Sequence, residues 1–164
     1  MIKPFDFYFD FVSPYSFLAH KEIRKIENKA SIKIRYKPIL LGGLHNLHGI
    51  KAPAFIPAKA KHMIRDCKLI AEKNNIKFKF NSYFPIRSLN LMRGVLVAEE
   101  DNIKNYYIDN IFNTIWHTGP NTMLKGSSED YSGFGSTSVG LNKFLFSQTG
   151  WRWSKSLFGV TGHT

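Results

Sequence analysis

Phenylalanine stands at every odd position from Phe5 to Phe11, with Asp6, Tyr8 and Asp10 between. That two-residue period predicts a strand with one buried face over residues 5–11. It runs directly into Ser13-Pro14. A serine can accept hydrogen bonds from the orphan N–H groups of a helix start, and proline is pre-set for the first helical position. The strand is therefore expected to feed a helix at residue 13. Leu18, Ala19, Glu22, Ile23 and Ile26 continue that helix as an amphipathic one, with Lys21, Lys25 and Lys29 on its solvated side. Ile32, Ile34 and Tyr36 then alternate with Lys33, Arg35 and Lys37, which predicts a second strand. Strand, helix, strand is the unit of a parallel pair with a crossover, so the fold class is α/β.

Leu40-Leu41-Gly42-Gly43 ends the second strand, and the stretch to Pro57 reads as a long loop of the kind that carries function. Helical patterns follow over residues 58–73, 88–99 and 103–116. Between the first two, Ile76, Phe78 and Phe80 alternate with Lys77 and Lys79, as a short strand or an extended link that Pro85 terminates. From Lys125 to Gly140, ten of sixteen residues are Gly, Ser or Thr, and helical periodicity disappears. The expected organisation is a domain over residues 1–123 and an atypical tail over 124–164.

The chain has 164 residues, 43% of them hydrophobic, enough to bury one core. Its formal charge of +11 attracts anions, and nucleic acid is one alternative partner. The lysines are scattered rather than run together, however, so solvated faces explain most of them. Cys67 is the single cysteine, which excludes an internal disulfide and a thiolate metal cluster and suits a reducing, cytoplasmic setting. No membrane-spanning stretch is expected, and His45 and His48 lack a third ligand nearby, so no metal is expected either. His117, with Gly119 and Pro120 closing the helix, reads as a helix C-terminal cation.

Ser13-Pro14-Tyr15-Ser16 is where chemistry is expected. A helix N-terminus favours an anion, and a serine hydroxyl there can donate to a thiolate, both lowering the pKa of a bound thiol. The alternative open at this point is that Ser13 is only an N-cap. Ser13 and Ser16 stand where Cys-x-x-Cys oxidoreductases carry their cysteines, so dithiol–disulfide exchange is excluded here. Cys67, beside Met63, Ile64 and Ile70, reads as a small core residue.

Residues 7–19, Phe-Tyr-Phe-Asp-Phe-Val-Ser-Pro-Tyr-Ser-Phe-Leu-Ala, resemble the opening of the 2-hydroxychromene-2-carboxylate isomerases, relatives of kappa-class glutathione transferases in the DsbA-like branch of thioredoxin folds. Residues 53–67 and 84–93 resemble the same family's inserted helix and next helix entry. The resemblance implies a thioredoxin-like (DsbA-like) fold with a helical insertion. It implies a glutathione cofactor whose sulfur meets Ser13, with Pro14 and Tyr15 along the tripeptide and Lys59 as a further binding residue. The implied reaction is cis-trans isomerisation by reversible thiolate addition in aromatic-compound catabolism, with Ser13 orienting the thiolate. The implied partners are glutathione and a small aromatic carboxylate, which Arg87 or Arg93 could meet, and a homodimer is allowed.

The resemblance breaks in two places. Ile50 falls where kappa-like members carry an asparagine that contacts glutathione. After Met123 nothing resembles the family's cis-proline segment or last sheet strands, and no proline follows Pro120. A shifted reading frame and a divergent tail each account for this. The alternative function is accordingly an inactive or truncated thioredoxin-like binding module.

Overall fold

The computed structural model describes residues 4–30 and 32–118. Strand β1, Phe5–Phe9, leads into helix α1, Pro14–Ala30, and strand β2, Ile34–Pro38, lies parallel to β1 with Phe7 opposite Tyr36. The expected strand, helix, strand unit is present. Helices α2 (Leu41–Leu47), α3 (Pro57–Lys73), α4 (Leu89–Glu100) and α5 (Lys104–Asn113) follow, and α5 runs into a wider π-type turn, Thr114–Thr118. The expected tail, the closing residues Gly119 and Pro120, and the question of further strands lie outside the described residues.

The alternating phenylalanines divide along the strand. Phe5 is 45% exposed, whereas Phe9 and Phe11 are fully buried. Phe112 of α5 is the hub on which they pack, its ring 4.9 Å from Phe11, 5.7 Å from Phe9 and 6.1 Å from Phe17 of α1. Trp116 closes the same core. Its ring stacks on Phe78 and meets Phe80 and Phe84, and its Nε1–H donates to the Phe11 carbonyl at 2.9 Å. Residues 76–80 are therefore an extended link, not a strand. Their alternation serves to seat Phe78 and Phe80 on Trp116, while the Lys79 N–H donates to the Trp116 carbonyl.

Two expectations are corrected here. Residues 41–47 form helix α2 where a loop was expected, with Gly42 and Gly43 inside it. The reason is a carboxylate from far away in sequence: Asp10 Oδ2 accepts the Leu41 N–H at 2.8 Å, satisfying a donor that the helix itself leaves orphaned. Lys21 is the second. It is half-buried, not solvated, because its Nζ donates to Asn113 Oδ1 at 2.6 Å and lies over the Phe17 ring. Burial lowers its pKa, against the opposing Asp109 carboxylate.

Helices α2, α3 and α4 end alike. Gly49, Asn75 and Asn102 take positive φ just past each end, and the next N–H turns back to an earlier carbonyl, Ile50 to His45, Ile76 to Ala71 and Ile103 to Ala98. Between α4 and α5 the approach is closer. A Cβ on Gly94 would collide with the Tyr107 hydroxyl, which donates to the Leu91 carbonyl at 3.1 Å. Gly94→Ala should therefore cost about 1–3 kcal/mol in chemical denaturation, despite alanine's better helix propensity. A neutral or stabilising result would mean that Tyr107 gives way freely.

His20 of α1 is fully buried between Tyr36, whose hydroxyl lies 3.2 Å from Nδ1, and Asp109 of α5, whose Oδ1 lies 2.7 Å from Nε2. That second contact has the distance of an ion pair, yet the ring does not aim Nε2 along a hydrogen-bond line to a partner. Burial accordingly lowers the His20 pKa, and the Asp109 carboxylate only partly offsets this. The folded chain thus binds fewer protons than the unfolded one below the ordinary histidine value of 6.5. Stability should be full above that value and fall with pH through the lowered folded value. Asp109 is itself held below 3.8: burial pushes it up, but His20 and Arg24 outweigh that, so its contribution is lost at still lower pH. Denaturation midpoints should fall between about pH 7 and pH 5, and His20→Gln should flatten that slope. An unchanged slope in the variant would assign the effect elsewhere.

Candidate functional site

The turn from β1 to α1 is held from several sides. Asp10, only 1% exposed although it alternates with the buried phenylalanines, accepts the Val12 N–H through Oδ1 at 3.0 Å and the Leu41 N–H through Oδ2. Its carbonyl accepts the Ser13 N–H at 3.0 Å. The Phe11 N–H points at Met92 Sδ, 3.5 Å away, while the Phe11 carbonyl takes the Trp116 indole N–H. Asp10 is thus a positioning residue that strand periodicity hid, since alternation assigns it to the solvent face.

Ser13 is part-buried at the start of α1. Its Oγ accepts the Ser16 N–H at 3.2 Å, and its carbonyl accepts the Phe17 N–H. The N-cap geometry is therefore present. It does not exhaust the side chain, because a hydroxyl that accepts from a backbone N–H still carries a proton to donate. No residue of the first turn of α1 is itself acidic, so its partial positive charge is not neutralised from within the helix.

Pro14 is buried at the first helical position. Tyr15, on the same turn, is 40% exposed, and its hydroxyl donates to Asp66 Oδ2 of α3 at 2.8 Å. Burial, then the Asp66 hydrogen bond, raises the Tyr15 pKa, so the phenol stays protonated. Tyr15 and Lys59 line one cavity of about 380 Å³ together with Pro53, Ala58, His62 and Met63. Ser13 and Pro14 are not among its walls but adjoin it through Tyr15. Of the four expected binding residues, the structure thus brings Tyr15 and Lys59 together.

His62 and Asp66 went unnoticed in the sequence, although their spacing from Lys59 carries a signal. Residues three or four apart share a helix face, so 59, 62, 63 and 66 follow one side of α3. Cys67 is fully buried on that helix, and burial, aided by the Asp66 carboxylate, pushes its thiol up to about 12. Ile50 is 53% exposed in the link after α2, and Arg87 and Arg93 are exposed. None of the three lines the cavity.

The family model of the DSBA-like thioredoxin domain matches residues 5–127, about three quarters of the chain. The chain belongs to the DSBA-like thioredoxin domain family. Within the DSBA-like family its sequence is 40% identical over 103 residues to glutathione S-transferase kappa 1 of Caenorhabditis elegans, covering 59% of this chain and 46% of that protein. It is 27% identical over 136 residues to 2-hydroxychromene-2-carboxylate isomerase of Sphingobium xenophagum, covering 79% of this chain and 69% of that one. The chain thus spans between about half and about two thirds of these relatives' lengths. A solved 2-hydroxychromene-2-carboxylate isomerase superposes with a TM-score of 0.63 at 22% identity over 85% of this chain and 74% of that one, which shows the shared fold. The DSBA-like fold expected from the sequence is therefore the fold observed. Among the described residues, no helix of this DSBA-like chain is long and apolar enough to cross a membrane.

Proposed function

We propose that the chain is a glutathione-dependent isomerase of the 2-hydroxychromene-2-carboxylate type, or a related glutathione transferase, with Ser13 as the residue that orients the thiolate. The observation that carries this is the Ser13 hydroxyl, which accepts the Ser16 N–H and keeps its own proton at the start of α1. The names of the two kinds of relative support it.

The residues present fit glutathione. Ser13 can donate to an anionic sulfur, the first turn of α1 adds a favourable field, and Lys59 on the adjoining cavity can meet a carboxylate. When bound, glutathione would supply a sulfur nucleophile for reversible addition to a conjugated carbon. The chain's own part is electrostatic: Ser13 and the helix start favour the thiolate over the thiol, while Asp10, Met92 and Trp116 hold the turn rigid so that little reorganisation is needed. The Tyr15 ring and Pro53 offer an apolar wall for an aromatic acid. The single cysteine, Cys67, buried and free, suits a reducing compartment such as the cytoplasm.

One observation favours the second reading, a binding module without turnover: Ile50, exposed after α2, offers no polar group where the kappa-like relatives are expected to carry asparagine. Calorimetric titration of the full chain with glutathione, followed by ultraviolet absorbance of the bound thiolate, tests the proposal. Saturable binding with a thiolate signal above that of free glutathione at the same pH is expected. Binding without that signal supports the module, and no binding ends the glutathione-dependent enzyme reading.

A further inference from the structure

The cavity that Tyr15 lines holds a polar residue that the reading above does not use, His62. Lys59 and His62 lie one turn apart on α3 and both line it, and among the described residues neither pairs with a carboxylate. The carboxylate nearest along the same helix face, Asp66, accepts the Tyr15 hydroxyl instead. The remaining walls are apolar: the Tyr15 ring, Pro53, Ala58 and Met63. An apolar pocket with two unpaired nitrogen donors at one side matches a ligand with an apolar body and an anionic end. An imidazole offers an N–H in either neutral tautomer and two when protonated, so His62 can donate in every state.

We propose that His62 is a second ligand-contacting residue of this cavity, donating an N–H to the carboxylate of a small ligand whose apolar body lies against Tyr15, Pro53 and Met63. Lys59 supplies the fixed positive charge, and His62 supplies the direction. A flexible ammonium holds an anion without orienting it, whereas a planar ring on a helix restricts where the carboxylate can sit. The inference deepens the glutathione reading by naming a contact at the same site. The carboxylate can come from glutathione or from the aromatic acid, and the experiment below separates the two.

The test follows the His62 ring resonances of the full chain by NMR while benzoate, benzamide of the same shape without the charge, or S-methylglutathione is added. Benzoate should shift them saturably, with an affinity about fivefold above that of benzamide, the size expected for an exposed charged contact. In the variants the affinities are read from the backbone amide resonances of Lys59 and Met63: His62→Ala should abolish that preference, and His62→Gln, which retains an N–H donor, should restore part of it. The same pattern with S-methylglutathione alone would also support the contact and would make the cofactor's carboxylate its source. Equal loss of benzoate and benzamide binding in His62→Ala, or no shift with any of the three, would overturn the proposal. Failure of the Ser13 reading has a different signature: no thiolate signal with glutathione while the His62 shifts persist.

Discussion

Ser13→Ala is expected to lower kcat/KM for glutathione-dependent isomerisation of a 2-hydroxychromene-2-carboxylate substrate by about a hundredfold, the scale seen when one pre-aimed donor to a reacting anion is removed. The structural cost should be small by comparison. The variant forfeits the Oγ acceptor for the Ser16 N–H, a cap worth about 1 kcal/mol, so a slightly lowered denaturation midpoint and an intact fold are expected. The bound-thiolate absorbance should fall with the rate, because both depend on the same proton. Ser13→Thr keeps the hydroxyl and should recover part of each. If Ser13→Ala kept full activity and lost only the 1 kcal/mol or so, Ser13 would be a helix cap and nothing more.

Trp116→Ala should produce the largest loss of stability. The side chain is fully buried, stacks on Phe78, and touches Phe80 and Phe84, so its removal leaves a cavity that these rings cannot all fill. About 3–5 kcal/mol is expected from that alone, and the Phe11 carbonyl also loses its indole donor. Trp116→Phe separates the two contributions, since it keeps a six-membered ring for the stacking and discards the N–H with the rest of the indole; it should cost about 1–2 kcal/mol more than a well-accommodated volume change. Urea denaturation of both variants measures the difference. Near-equal losses would mean that the hydrogen bond to Phe11 carries the effect and the aromatic packing does not.

How much of this was legible in the sequence depends on whether the cause is local. β1, α1 and α3 were legible because Phe5 to Phe11, Ser13-Pro14 and the apolar positions of residues 58–73 each state their period or cap within a few residues. Helix α2 was not. Its first N–H is satisfied by Asp10, thirty-one positions earlier, and Gly42-Gly43 mimic a loop. Asp10 itself was hidden because a buried carboxylate and a solvated one occupy the same place in an alternating strand. Residues 76–80 misled in the other direction: they alternate because Phe78 and Phe80 pack on Trp116, with no strand beside them. At the candidate site, Ser13 and Lys59 came from the family resemblance, whereas Tyr15 meeting Asp66 required knowing that α1 and α3 touch.

The turn ahead of α1 owes its shape to Asp10, to the Phe11 N–H on Met92 and to the Phe11 carbonyl under Trp116, and none of these contacts touches the side chain at position 13. Residue 13 can therefore be exchanged at the cost of one cap, while the backbone that aims it stays in place. Such a mount is evolvable in a specific sense: a hydroxyl that steadies a borrowed thiolate and a cysteine that supplies its own differ by one atom at a position the scaffold does not depend on. Exchange between a thiolate-steadying and a redox role on this frame thus calls for new side chains at positions 13 and 16, with no rebuilding of the arm that holds them.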